Sequence, residues 1–151
     1  MKDDQTTHFG FEQVPYQEKQ QRVQSVFSSV AKNYDIMNDV MSFGMHRIWK
    51  KIALSFCGAR AGSFILDVAG GTGDLSAALA KRVGSKGKVF LLDINASMIQ
   101  VGRERLYDRG HIQNVCYLQS NMEHIAIKDN SLDCVVVGFG LRNTTNKDQA
   151  L

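Results

Sequence analysis

The stretch Phe64-Ile65-Leu66-Asp67-Val68-Ala69-Gly70-Gly71-Thr72-Gly73-Asp74 decides the fold. It opens as a short apolar run, the pattern of a buried strand, and then breaks into three glycines within four residues. Leu75-Ser76-Ala77-Ala78-Leu79-Ala80 follows and reads as a helix. Strand, glycine-rich turn and helix form the first half of a nucleotide-binding βαβ unit. Gly70, Gly71 and Gly73 let the backbone turn tightly and let a ligand reach the main chain with no Cβ in the way. A plain strand-to-helix turn needs fewer glycines, so a ligand on the turn accounts better for them.

Downstream, Lys88-Val89-Phe90-Leu91-Leu92-Asp93 is a second apolar strand ending in a carboxylate. Ala96 to Tyr107 is amphipathic, with Met98, Ile99, Gly102 and Leu106 on one side and Asn95 or Ser97 as its cap. Asn114 to Gln119 is a third strand and Leu132 to Val137 a fourth, with Gly138 to Asn143 running off its C-terminal end. A further helix starts at about Asn146. This alternation predicts an α/β fold, a parallel sheet built by right-handed crossovers with helices on both faces. Ligands of such sheets sit beyond the carboxyl ends of the strands, where the strand order reverses. The candidates are therefore Ala69 to Asp74, Asp93, Asn121 and Met122, and Gly138 to Asn143.

Upstream the signals are weaker. Residues 1–15 hold the only proline, Pro15, and little pattern, and are expected to be mobile. Val23, Val26, Phe27 and Val30 share one face of a helix starting near Glu18. Met45, Ile48, Trp49, Ile52, Ala53 and Phe56 repeat that spacing in a second helix ending near Gly58. The connector from Asn33 to Gly44 is too rich in large apolar groups for a solvated loop. It packs the helical region onto the core, or it forms a lid over the glycine turn that contributes Tyr34 and Asp35.

The 151 residues suffice for one domain with a core, and 44% hydrophobic with 22% charged residues is a globular composition. A net charge of +3, with scattered basic residues, gives no support to nucleic-acid binding. The N-terminus is polar and acidic, unlike a secretory signal, and no apolar run approaches a membrane span. Cys57, Cys116 and Cys134 form no Cys-x-x-Cys pair and read as small core residues of a reduced, cytoplasmic protein. The four histidines show no metal-ligand spacing, so no metal is expected.

Charge narrows the ligand. Asp93 lies 20 residues beyond Gly73, where a carboxylate accepts both hydroxyls of a ribose. A dinucleotide fits poorly, because Ser76 takes the place of the third small residue of Gly-x-Gly-x-x-Gly. Asp74 also puts negative charge at the helix N-terminus, where a pyrophosphate needs positive potential. With Asp67 nearby, a ligand carrying an ammonium and a sulfonium, S-adenosylmethionine, matches these charges better. Asn121 offers an amide to the adenine edge with Met122 against the ring, or it is simply a polar turn residue.

Asp67-Val68-Ala69-Gly70-Gly71-Thr72-Gly73-Asp74 resembles motif I of class I methyltransferases, with Ala69 in place of the usual first glycine. Its wording is that of the ubiquinone/menaquinone biosynthesis C-methyltransferases. Three further blocks resemble that family: Thr7-His8-Phe9-Gly10-Phe11; Tyr34-Asp35-Ile36-Met37-Asn38-Asp39 with Ser42-Phe43-Gly44-Met45-His46-Arg47-Ile48-Trp49-Lys50; and Phe139-Gly140-Leu141-Arg142-Asn143. The resemblance implies a Rossmann-like class I methyltransferase fold with an N-terminal helical extension. It implies methyl transfer from S-adenosylmethionine to a ring carbon of a polyprenylated benzoquinol or a demethylmenaquinol. Thr72, Asp93, Asn121 with Met122, and Gly138 would then contact the cofactor, Gly138 through its backbone, beside Asp67 and Gly70, Gly71 and Gly73. A quinol carbon becomes nucleophilic when its neighbouring hydroxyl loses a proton. Arg142 is assigned to the developing oxyanion and Asn143 to orientation, with Tyr34 or Asp35 closing the site. A solvated surface arginine is the other reading of Arg142.

The family sheet has seven strands in the order 3-2-1-4-5-7-6, and four are present here. The chain thus reads as an N-terminal portion truncated after the fourth strand, with on the order of 100 residues to follow. Residues 1–58 are read as a helical segment or lid, and 59–151 as the first part of the cofactor domain. The fourth strand becomes an exposed edge, open to a homodimer or another pairing partner. A lipid-tailed substrate implies peripheral contact with the inner membrane. The rival functions are a non-catalytic cofactor-binding or interaction module, and another small-molecule methyltransferase of the same class.

Overall fold

Strands β3 (Phe64–Val68), β4 (Lys88–Asp93), β5 (Val115–Gln119) and β6 (Cys134–Val137) form one sheet in the order β5-β4-β3-β6, every pairing parallel. The computed structural model describes residues 6–9, 11–111, 113–144 and 146–150. These are the four strands expected from the apolar runs, and β3, which carries the glycine turn, lies inside the sheet. Ile65, Leu66, Leu91 and Leu92 are at most 1% exposed, so both faces of the central strands are covered, as continuous apolar runs require. Helix α4 (Asp74–Val83) links β3 to β4, and α5 (Ala96–Asp108) links β4 to β5. Their buried faces, Leu75, Leu79, Val83, Ile99 and Leu106, meet Ile65, Val89, Leu91 and Val115 on one face of the sheet. On the other face, Leu66, Val68 and Leu92 pack against Met122, Ile125, Ile127 and Leu132 of the segment entering β6.

Two local devices bring α5 onto the glycine turn. Asn95 caps the helix by accepting from the Met98 N–H at 3.1 Å. Gly102 lacks the Cβ that would stand 2.9 Å from the Gly71 carbonyl oxygen, so the helix can press against that backbone.

The N-terminal region departs from expectation. Thr6–Phe9 (β1) and Glu12–Pro15 (β2) pair antiparallel, and Val14 is buried, where residues 1–15 were expected to be mobile. The hairpin packs on α1 (Tyr16–Val30), so tertiary contact supplies what its weak alternation does not. Residues 1–5 lie outside the described residues. The connector from Asn33 to Gly44 is itself mostly a helix, α2 (Tyr34–Ser42), reached through a 3₁₀ turn at Ala31–Asn33. It stops at Phe43 and Gly44, both left-handed (φ 48° and 75°), and α3 (Met45–Phe56) follows at once. Asn33 makes no side-chain capping bond, so no local signal announces α2. Asn95 ties the layer down again, its amide donating to the Gln24 carbonyl and the Ser28 hydroxyl, each at 2.9 Å.

Candidate functional site

A cavity of about 440 Å³ opens at the carboxyl ends of β3, β4, β5 and β6, within the range of small-molecule sites. Its floor is the glycine turn. Its roof comes from α1, α2 and α3, through Val23, Phe27, Tyr34, Met37, Met41 and Trp49. The helical layer therefore both packs on the core and covers the turn, the two readings that its sequence left open.

Of the sites named from sequence, Asp67, Gly70, Gly71, Thr72, Asp93, Asn121, Met122, Gly138, Tyr34, Arg142 and Asn143 all line this cavity. Gly73 is absent from the lining. It turns the chain at φ 78°, where an added Cβ would meet Leu106 at 2.9 Å. Asp35 lies in α2, but its side chain falls outside the described residues.

Asp93 is bound from below. Its Oδ2 accepts the Gly71 N–H and its Oδ1 the Asn95 N–H, both at 2.9 Å. Burial raises its carboxyl above the usual range, and these N–H groups pull it back. The same carboxylate thus shapes the turn and faces the cavity. Thr72, the next residue of the turn after Gly71, is also buried. Asn121 spends its side-chain oxygen on the Glu123 N–H at 3.0 Å, which leaves its NH₂ to act as donor. Met122 packs partly into the apolar cluster under β3 and β4. Arg142 is exposed on a 3₁₀ turn, Gly140–Asn143, that projects from the end of β6, and Asn143 beside it is half-buried.

Asp67 is 1% exposed and accepts the Ser76 hydroxyl at 2.6 Å. Burial pushes its carboxyl up to about 7, reinforced by Asp93 and opposed by Ser76 and Lys50. The unfolded chain releases this proton near pH 4, whereas the fold keeps it to about 7. Between those values the folded state binds more protons, so stability falls as pH rises and levels off above about 7. The fall is at most on the order of 4 kcal/mol. Urea unfolding between pH 4.5 and 7.5 should show this decline, and Asp67→Asn should flatten it. Equal slopes for variant and parent would rule it out.

Asp74 requires a correction. From sequence, its charge was the stronger of two reasons to disfavour a diphosphate. In the fold the Lys50 ammonium stands 2.9 Å from its Oδ2 and Arg109 lies 3.8 Å from its Oδ1. Partial burial raises the Asp74 carboxyl, but Lys50 and Arg109 outweigh that and hold it below its ordinary value. The charge is thus compensated where it stands. Asp67, Asp93 and Glu123 are the other acidic residues on the cavity wall.

The ubiE/COQ5 methyltransferase family model matches residues 15–151. The chain belongs to the ubiE/COQ5 methyltransferase family. Among its relatives, the ubiquinone/menaquinone biosynthesis C-methyltransferase UbiE of Cellvibrio japonicus is 54% identical over all of this chain and 61% of its own length. The UbiE of Hydrogenovibrio crunogenus is 58% identical over 97% of this chain and 58% of its own. The chain thus spans about three fifths of the curated relatives it matches. Among solved structures, a SAM-dependent methyltransferase from Aquifex aeolicus superposes with a TM-score of 0.61 at 29% identity, covering 67% of this chain and 53% of that one. A SAM-dependent O-methyltransferase from Thermotoga maritima gives 0.51 at 29% identity, over 57% and 32%. The fold is the Rossmann-like fold of SAM-dependent methyltransferases.

In this ubiE/COQ5 chain the structure adds residues to which the sequence reading gave no role. Lys50 reaches Asp74 across 24 positions, and no spacing rule links a helix residue to so distant a partner. Trp49 packs its ring 5.7 Å from that of Phe139, joining α3 to the loop that carries Arg142. His46 is buried and bonded to the Ser42 hydroxyl at 2.9 Å, which braces the α2–α3 corner. The periodicity of α3 marked Trp49 as apolar and could not say that it faces a cavity.

Proposed function

We propose that this chain is the cofactor-holding part of a C-methyltransferase that methylates a ring carbon of a polyprenyl benzoquinol or a demethylmenaquinol. The observation that carries the reading is the cavity over the glycine turn, walled by Asp67 and Asp93 and reached by Arg142. The wall suits S-adenosylmethionine: backbone without Cβ atoms at Gly70 and Gly71, two buried acidic groups, Asp67 and Asp93, whose ionised forms a cationic ligand would favour, and an apolar roof for its adenosine. When bound, that cofactor supplies an electrophilic methyl group. Asp93 would accept from the ribose hydroxyls, Asp67 would face the ammonium, and the Asn121 NH₂ with Met122 would hold the adenine. Thr72 and the Gly138 backbone complete the set.

Arg142 would stabilise the quinol oxyanion, and Asn143 would orient the ring. Tyr34, on α2 with its ring 5.7 Å from Phe27, or Asp35 would close the site and help α2 exclude water. The division at residues 58 and 59 then separates the roof from the cofactor domain. Exposed Ile36, Val40 and Met41 on α2, Phe43 in the turn after it, and Ile48 and Trp49 on α3, beside Arg47 and Lys51, suit a peripheral encounter with the inner membrane from the cytoplasmic side. Among the described residues β6 is one edge of the sheet, with β5 the other, and a second copy would pair along β6.

Calorimetric titration with S-adenosylmethionine, followed by methyl transfer to a short-chain quinol, tests the reading. Binding with turnover is expected from a protein of the relatives' full length. Binding without turnover there would favour a non-catalytic module, and no binding would remove the cofactor assignment. In the same protein, Arg142→Ala should lower kcat about 100-fold while leaving cofactor affinity within about twofold. Unchanged turnover would end its proposed role.

A further inference from the structure

We propose that Cys57 and Cys134 form a reversible intramolecular disulfide that ties the end of α3 to the start of β6. The two thiols are far apart in sequence and were read as separate core residues. The fold puts their sulfurs 3.0 Å apart, with the Cys57 S–H donating to Cys134. Both are half-buried on the face of the sheet that packs against α3 and α4, beside Ala78 and Val136. Cys116 follows Val115 on β5, and side-chain alternation turns it to the opposite face, away from the pair.

A bond requires the sulfurs to close to about 2.05 Å. The backbone is placed to allow this. Cys57 is the residue after α3, and Gly58 follows at φ 63° with nothing within 4 Å of an added Cβ. Cys134 is the first residue of β6, where the ladder to Ile65 begins. Element ends adjust more readily than their middles.

The arrangement also assigns an order of events with a peroxide as oxidant. Cys57 is the donor, and burial, with Cys134 alongside, pushes its thiol up to about 12, so it keeps its proton. Cys134, the acceptor of that contact, is the sulfur placed to meet the peroxide first, and it attacks once its own S–H, which donates to the Val135 carbonyl at 3.7 Å, has lost its proton. Its attack on the peroxide oxygen gives a sulfenic acid and releases the first water once the leaving hydroxide is protonated. The Cys57 sulfur then loses its proton, attacks the sulfenic sulfur and displaces a second water. Two thiols and one hydrogen peroxide thus yield one disulfide and two waters. A dithiol reverses the reaction by exchange.

The test uses the chain with a small excess of hydrogen peroxide, free-thiol counting and peptide mapping without reductant. The expected result is a fall from three free thiols to one, a Cys57–Cys134 linked peptide, and recovery of all three thiols with dithiothreitol. Cys116→Ser should leave the linkage intact, whereas Cys134→Ser should abolish it. Closing a loop over 77 positions should raise Tm by on the order of 10 °C, a gain lost on reduction. A thiol count still at three, a linked peptide containing Cys116, sulfinic acid at Cys134 without linkage, or covalent dimers would each overturn the proposal. The thiol count is read on the unsubstituted chain, so a variant that fails to fold leaves the test standing. It is also independent of what occupies the cavity.

Discussion

Asp93→Ala is expected to weaken S-adenosylmethionine binding roughly 10- to 100-fold and to cost about 1–3 kcal/mol of stability, because the residue works in two directions. Toward the cavity it presents a nearly buried carboxylate, which we propose accepts from a ribose. Toward the protein it satisfies the N–H groups of Gly71 and Asn95, which would otherwise be left buried without an acceptor. Asp93→Asn keeps one acceptor oxygen but turns an NH₂ toward one of those N–H groups, so it should also lose stability. Calorimetric titration reads the first effect and urea unfolding the second. Affinity equal to that of the parent would remove the ribose assignment. Lost affinity with unchanged stability would mean that the two N–H bonds do not hold the turn.

The second large effect lies where β3 and the loop after β6 cross. A Cβ at Gly140 would collide with the Cβ of Ala69. Ala69 itself sits at φ 53°, a left-handed conformation that disfavours any side chain. Gly140→Ala should therefore cost about 1–3 kcal/mol through overpacking. Ala69→Gly should stabilise by about 0.5–1 kcal/mol by relieving the backbone. Together the two should restore close to parental stability, a coupling well above the few tenths of a kcal/mol seen for independent sites. Additive effects would show that the contact does not govern this crossing. The alanine in place of the usual first glycine of the motif is thus accommodated by a glycine 71 residues later, a compensation that reading the motif alone does not reveal.

The sheet was legible in the sequence because each strand is a short apolar run closed by turn chemistry, and β3 and β4 each begin and end where their patterns do. The cavity floor was legible for the same reason, since glycines and strand-end carboxylates carry local signatures. What escaped depends on contacts between distant segments. The β1–β2 hairpin is held by α1, and α2 has no capping side chain to mark its start. The charge of Asp74 was read correctly as a residue and wrongly as a field, because Lys50 arrives from another helix. The cysteines looked unrelated because 77 positions separate two sulfurs that the fold sets side by side.

Trp49 is the only tryptophan in the chain, and it stands on the cavity wall against Phe139. Its fluorescence is therefore an intrinsic reporter placed at the roof. A ligand entering beneath α3, or the roof lifting away from the loop after β6, changes the polarity around one indole and nothing else that emits at its wavelength. Occupancy and opening can thus be followed in stopped flow without a label, and a lag between the two would separate capture of the ligand from closure over it.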